Sequence, residues 1–128
     1  MTIYGIGTDI VEVKRVSSIL SRHGARFAGH ILTPEEIPEF AASTIPERFL
    51  AKRFAAKEAF SKAMGTGLRY PVSLTNIRIT HDALGKPELA FSDELRDLVA
   101  RQGISRCHLS ISDEKGLVAA FVVLEQAA

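Results

Sequence analysis

The chain has no tryptophan, a single cysteine and only four histidines, and each shortage excludes a class of function. One cysteine cannot close an intrachain disulfide, and one cysteine with four scattered histidines does not supply a zinc ligand set. Cys107 lies in an alternating apolar run, where a buried, inert thiol is expected. Charge of one sign is also missing. Sixteen basic residues face fifteen acidic ones, a formal net charge of +1, so there is no global attraction to nucleic acid or to anionic membranes. Any anion must be held by a local cluster. No basic stretch precedes an apolar run near Met1, and no apolar run reaches membrane-spanning length. A cytoplasmic protein without a membrane partner is expected. Repeats, low-complexity tracts and Gly-, Ser- or Pro-rich linkers are absent too. With 128 residues, 46% of them hydrophobic, one domain over 1–128 around one core is expected.

What is present is concentrated between Arg48 and Gly67. This stretch holds many alanines, has no Gly or Pro before Gly65, and stops at Gly65-Thr66-Gly67, which reads as a long helix. At 100° per residue, Phe49, Ala56 and Phe60 form one apolar stripe, and Leu50 and Phe54 begin a second. Arg53 and Lys57 fall between the stripes, with Glu58 and Lys62 in another sector. Such a helix packs against more than one neighbour, and charge on it is costly unless it has a use. One carboxylate among Arg48, Lys52, Arg53, Lys57 and Lys62 points to a polyanion site, with Glu58 kept for a metal or a proton. The plainer reading is an i,i+4 Glu58–Lys62 pair, which stabilises an exposed helix by about 0.2–0.5 kcal/mol.

Around this helix the pattern is mixed. Ile3 to Val11 reads as a strand ending near Asp9, followed by a helix carrying Val13, Val16 and Leu20 and stopped by Gly24. Thr33-Pro34-Glu35-Glu36 reads as a helix start with a capping box, and Pro38 keeps that helix short or irregular. Leu74 to Thr80 reads as a strand, although Leu74, Ile77 and Ile79 are not fully in phase. His81 to Pro87 is a hairpin turn with Gly85 free to be left-handed, and Glu88 to Phe91 returns as its partner strand. A helix capped by Ser92 runs to Gly103. Two strands close the chain, the second, Leu117 to Leu124, nearly all apolar as a central strand would be. This order makes an α+β domain with an antiparallel sheet.

Asp9 stands out because acidic residues are poor strand formers. It is either a turn residue or a site residue. The preceding Gly5-x-Gly7 allows close approach by backbone or ligand, but without a third glycine and a following helix it is not a dinucleotide fingerprint. Two carboxylates from distant segments, with Lys and Arg around one of them, suit Mg²⁺, which takes one or two carboxylates together with phosphates and waters.

Gly5 to Val13, Arg48 to Gly67, Gly85-Lys86-Pro87 and His108 to Ser112 together resemble the small bacterial 4′-phosphopantetheinyl transferases, the holo-acyl-carrier-protein synthase family. The match runs in order over essentially the whole chain. Its most specific part joins a strand Asp to Phe54-x-x-Lys57-Glu58-x-x-x-Lys62. Larger members of the superfamily carry Asp-x-Glu at the first site; Val11 here indicates the small branch, with waters completing the metal shell. The resemblance implies that fold, an antiparallel sheet against a long central helix. It also implies transfer of 4′-phosphopantetheine from coenzyme A to a serine of apo acyl carrier protein, releasing adenosine 3′,5′-bisphosphate.

It further implies site roles. Asp9 and Glu58 hold Mg²⁺; Glu58, or a water it orients, is the base; Lys62 neutralises the pyrophosphate. Arg53, His108 and Gly85-Lys86-Pro87 hold the adenosine and 3′-phosphate, with Arg48 a weaker candidate. Read by themselves, His108 is an outward-facing strand residue and the hairpin a plain turn. On the first helix Arg15 and Arg22, with Arg26 depending on Gly24, fall near one face, by itself a solvated basic face; the resemblance implies that it contacts an acidic carrier, with Arg15 the best candidate. The family's small members imply a homotrimer with a shared site. Two other classes remain: a nucleic-acid-binding module using the central basic residues, and a coenzyme A transferase acting at the thiol without metal.

Overall fold

A computed structural model of the chain describes residues 1–127. Strand β1 (Thr2–Glu12) leads directly into helix α1 (Val13–His23), and Gly24, at φ 55°, breaks it from α2 (Ala25–Ile31). Two further helices follow, the short α3 (Ile37–Ala41) and the long α4 (Pro46–Met64). A 3₁₀ turn at Leu74–Asn76 precedes the hairpin of β2 (Ile77–His81) and β3 (Pro87–Phe91). Helix α5 (Asp93–Arg101) and the strands β4 (Ile104–Glu114) and β5 (Leu117–Gln126) complete the fold. The strands form two antiparallel sheets, β1-β5-β4 and β2-β3, where one sheet was expected.

Helix α4 is the centre of the molecule. Leu50, Ala51, Ala55, Ala56, Ala59 and Phe60 are fully buried, and each large one contributes about 1.5–3 kcal/mol. The absence of one polar face follows from packing on both sides: the larger sheet on one, α1, α2 and β2 on the others. Contact with the sheet depends on two glycines. Added Cβ atoms at Gly5 and Gly7 would lie 1.9 Å from the Ala63 carbonyl oxygen and 2.0 Å from that of Ala59. The close approach permitted at Gly5-x-Gly7 is therefore that of a helix backbone.

Several expectations are corrected. Strand β1 runs three residues past Asp9, which pairs with Ala120 in mid-ladder, so the turn reading of Asp9 fails. The segment Thr33–Glu36 is a turn rather than a helix start. The Glu36 carboxylate accepts the Thr33 N–H at 3.0 Å, as a capping box requires, but the helix begins at Ile37 with Pro38 in its first turn. The strand expected from Leu74 starts at Ile77, because the out-of-phase Leu74 lies in the 3₁₀ turn. Arg26 falls on α2, off the helix that carries Arg15 and Arg22.

Candidate active site

Alternation along β1 turns Gly5, Gly7, Asp9 and Val11 towards α4 and leaves Ile6, Thr8 and Ile10 outward. Strand β1 is an edge of its sheet, so Asp9 stands near an open border. Lys62, in the last turn of α4, reaches that border. Its ammonium donates to Asp9 Oδ1 and to the Thr8 carbonyl, both at 3.0 Å. Glu58 lies one turn earlier on the same face of the helix. Its carboxyl is pushed above the ordinary carboxylate range, first by burial and then by the negative charge of Asp9, with Lys62 opposing. The structure thus brings Asp9, Glu58 and Lys62 into one constellation. Lys62 pairs with Asp9 rather than with Glu58, so the plain i,i+4 reading does not describe it.

Asp9 and Glu58, two mutually repelling carboxylates, are oxygen ligands of the kind a hard cation takes, and Lys62 occupies one Asp9 oxygen in the metal's place. No group of three or more acidic, His or Cys residues that could hold a metal occurs among the described residues. Mg²⁺ requires no such group, since it keeps waters and takes phosphate oxygens beside one or two carboxylates.

The other basic residues of α4 do not join this constellation. Arg48 and Lys52 grip Asp113 of β4 at 3.1 and 3.2 Å. Arg53 and Lys57 turn away from Asp113 and bind Glu36, at 3.0 and 2.6 Å. Arg53, expected to hold coenzyme A, is 6% exposed in its side chain; its Nη atoms donate to Glu36, Glu39 and the Ile79 carbonyl. One Coulombic rule separates the groups: each cation goes to the carboxylate its helix face meets, because burying charge unpaired costs more than any exposed pairing returns. The single polyanion cluster expected from Arg48 to Lys62 is therefore divided in three. A cavity of about 310 Å³ remains between Arg48, Lys52, Arg53 and His81.

His108 and the Gly85-Lys86-Pro87 turn are carried by elements other than β1 and α4. His108 projects from the outer face of the larger sheet beside Val123, where its ring contacts Glu125. Gly85, Lys86 and Pro87 lie in the hairpin of the smaller sheet. Asp82 stiffens that turn by accepting the Leu84 and Lys86 N–H groups at 2.9 Å, and Gly85 has φ 87°. Arg15 borders a cavity of about 320 Å³ whose walls include Asp9, Val16, Ile19, Phe27 and Phe54. Arg22 is exposed further along α1. The outer face of the larger sheet is apolar and open: Ile6 is 70%, Ile10 68% and Phe121 53% exposed. Cys107 is half-buried and its thiol is pushed up to about 11, by burial, in keeping with an inert side chain.

Sequence reasoning missed Glu36 and Asp113, the two carboxylates that hold the basic residues of α4. Thr33-x-x-Glu36 is a signal for Glu36, but the same spacing specifies a helix cap. Asp113, near the end of an alternating strand, offered none.

Comparison with known proteins settles which family owns this arrangement. Residues 5–122 match the family model of the 4′-phosphopantetheinyl transferase superfamily. The chain belongs to that family. It is 60% identical over 124 residues to the holo-[acyl-carrier-protein] synthase of Nitrosospira multiformis, covering 97% of this chain and 99% of that one. The crystal structure of the holo-[acyl-carrier-protein] synthase from Neisseria meningitidis superposes with a TM-score of 0.95 at 57% identity, covering 98% and 100% of the two chains. A holo-(acyl-carrier-protein) synthase from Bacillus anthracis, solved in complex with CoA (3′,5′-ADP), superposes with a TM-score of 0.82 at 39% identity, covering 99% and 100%. The α+β transferase fold implied by the motifs is thus the observed one, and this family member is an enzyme, a 4′-phosphopantetheinyl transferase.

Proposed function

We propose that the enzyme transfers 4′-phosphopantetheine from coenzyme A to a serine hydroxyl of apo acyl carrier protein in a Mg²⁺-dependent reaction. The observation that carries this reading is the convergence of Asp9, Glu58 and Lys62 at an open sheet edge. Asp9 and Glu58 are the residues that would hold Mg²⁺, whose charge would stabilise the pyrophosphate. Glu58, or a water it orients, takes the proton of the serine hydroxyl. The serine oxygen then bonds to the β-phosphorus, the P–O bond to the bridging oxygen breaks, and adenosine 3′,5′-bisphosphate leaves. Lys62 neutralises charge on the pyrophosphate. Phosphoryl transfer relies on such placement and neutralisation more than on covalent assistance.

Arg48, Lys52 and His81 around their cavity support binding of a phosphate there, Arg53 adding charge from below rather than a free donor. Gly85-Lys86-Pro87 and His108 are assigned to the adenosine and 3′-phosphate. They are carried by elements other than β1 and α4, which favours a site completed by a second copy. The open apolar face bearing Ile6, Ile10 and Phe121 fits a homotrimer, since patches of this kind mark protein interfaces. Arg15 and Arg22 are assigned to the acidic carrier. The cavity beside Arg15 that reaches Asp9 supports an approach of the carrier serine from that side. The cytoplasm, where coenzyme A and its carriers meet, is the proposed compartment.

The test incubates the protein with apo carrier, coenzyme A and Mg²⁺ and weighs the carrier. Gain of one phosphopantetheine supports the reading. No gain, or modification at the coenzyme A thiol alone, overturns it.

A further inference from the structure

Glu36 is the only fully buried carboxylate among the described residues, and no role in the transfer reaction accounts for it. Its oxygens accept five hydrogen bonds from four residues, one of them from the Thr33 hydroxyl at 3.3 Å. Oε1 accepts from the Thr33 N–H at 3.0 Å and from Lys57 Nζ at 2.6 Å. Oε2 accepts from Arg53 Nη1 and from the Ile79 N–H, both at 3.0 Å. Arg53 Nη1 also donates to the Ile79 carbonyl at 2.7 Å.

The geometry at Ile79 is the informative part. Strand β2 pairs only with β3, so its other side is a free edge. On that edge the N–H and C=O of one residue are met by an acceptor and a donor lying side by side, as a neighbouring strand would meet them. The Glu36–Arg53 pair replaces that missing strand. Lys57 extends the same network to the Ile31 and Leu74 carbonyls, at 2.7 and 3.0 Å. Both cations belong to α4, the helix that carries Glu58 and Lys62. Beyond Ile79, strand β2 ends at His81 and turns through Asp82 to Lys86 into Pro87. The network therefore joins the helix bearing the catalytic pair to the strand bearing the hairpin.

We propose that Glu36 is a positioning residue for the transfer reaction: it clamps the β2–β3 hairpin to helix α4 and so sets where Gly85-Lys86-Pro87 meet coenzyme A. This rests on the coenzyme A reading given above. Two roles predict opposite signs. Were Glu36 only a negative charge behind the basic cavity, its removal would favour an anion there and lower the KM for coenzyme A. As a clamp, its removal frees the edge of β2 and raises that KM, because the hairpin is no longer held where coenzyme A meets it.

The experiment is steady-state kinetics on Glu36→Gln with coenzyme A and apo carrier varied in turn, after cooperative thermal unfolding has been verified. The expected result is a KM for coenzyme A raised about tenfold or more, with kcat and the carrier KM within about twofold. Glu36→Asp, which keeps the charge but shortens the reach to Ile79, should raise the same constant. If Glu36→Gln does not fold, Glu36→Gln/Lys57→Met removes the ammonium left unpaired and is measured instead. An unchanged or lowered KM for coenzyme A overturns the proposal, as does a fall in kcat with both constants moving together. Failure of both variants to fold also overturns it, since Glu36 would then hold the fold rather than the hairpin. An inactive wild-type protein would instead overturn the coenzyme A reading itself.

Discussion

Replacing Gly7 by alanine inserts one methyl group where the backbone of α4 lies on β1. Its Cβ would sit 2.0 Å from the Ala59 carbonyl oxygen and 2.7 Å from the Ala63 nitrogen. That is about 1.4 Å short of ordinary van der Waals contact. Both obstructing atoms are helix backbone, so no side-chain rotation relieves the clash and the helix must move. Overpacking of a core costs about 1–3 kcal/mol when side chains can adjust, so a cost of at least about 3 kcal/mol is expected here. Against a typical domain stability of about 5–15 kcal/mol, the variant should still fold. For a chain of this size the melting temperature should fall by roughly 10 °C or more. The effect on activity should be larger in proportion. Gly7 is two residues from Asp9, and the displaced helix carries Glu58 and Lys62, so the constellation opens by about the distance the helix moves. A displacement of about 1 Å can lower turnover on the order of 10²-fold. Thermal unfolding and the carrier-mass assay measure the two effects. Gly29→Ala in α2 is the control, because a Cβ there meets nothing within 4 Å and a helical Gly→Ala change stabilises by about 0.5–1 kcal/mol. A Gly7→Ala protein within about 0.5 kcal/mol of wild type and fully active would refute the packing argument.

Asp9→Asn and Glu58→Gln should each abolish most activity with the fold intact, and the double variant should lose little more, because both damage one site. Near-normal turnover by either, or full activity in excess chelator, would remove Mg²⁺ from these residues. Arg15→Glu should raise the KM for carrier far more than that for coenzyme A and flatten its salt dependence, as a rim charge acts mainly on association; an unchanged carrier constant at low salt would move docking away from α1. Burial disfavours the ionised Glu36 carboxyl, but Lys57 and the hydrogen bonds from Ile79 and Thr33 outweigh it and hold the group below its ordinary 4.5. A depressed carboxylate stabilises the fold above the unfolded-state value and loses that contribution as pH falls through the folded one. Melting temperature should therefore drop below about pH 4.5 in the wild type, and less steeply in Glu36→Gln/Lys57→Met; parallel curves would refute the assignment.

Local chemistry made much of this protein legible in its sequence. Helix α5 follows from Ser92, whose hydroxyl accepts the Leu95 N–H, and the β2–β3 turn follows from Gly85 at positive φ. The end of α4 follows from Gly65, left-handed at φ 80°. These are interactions between residues a few positions apart, so composition and spacing suffice to specify them. The spacing of Glu58 and Lys62 likewise placed them one above the other on a helix. Partner choice across the molecule was a different matter. Five cations and one carboxylate between Arg48 and Gly67 read as one polyanion site, because the chain order does not show that Glu36 and Asp113 return to different sectors of that helix. The strand glycines admit a ligand as readily as a backbone, and only the fold lays α4 on them. Only the tertiary structure decides such pairings. Sequence periodicity specifies which residues share a face, but Coulombic pairing and close packing depend on which face meets which, and that is determined by the whole core at once.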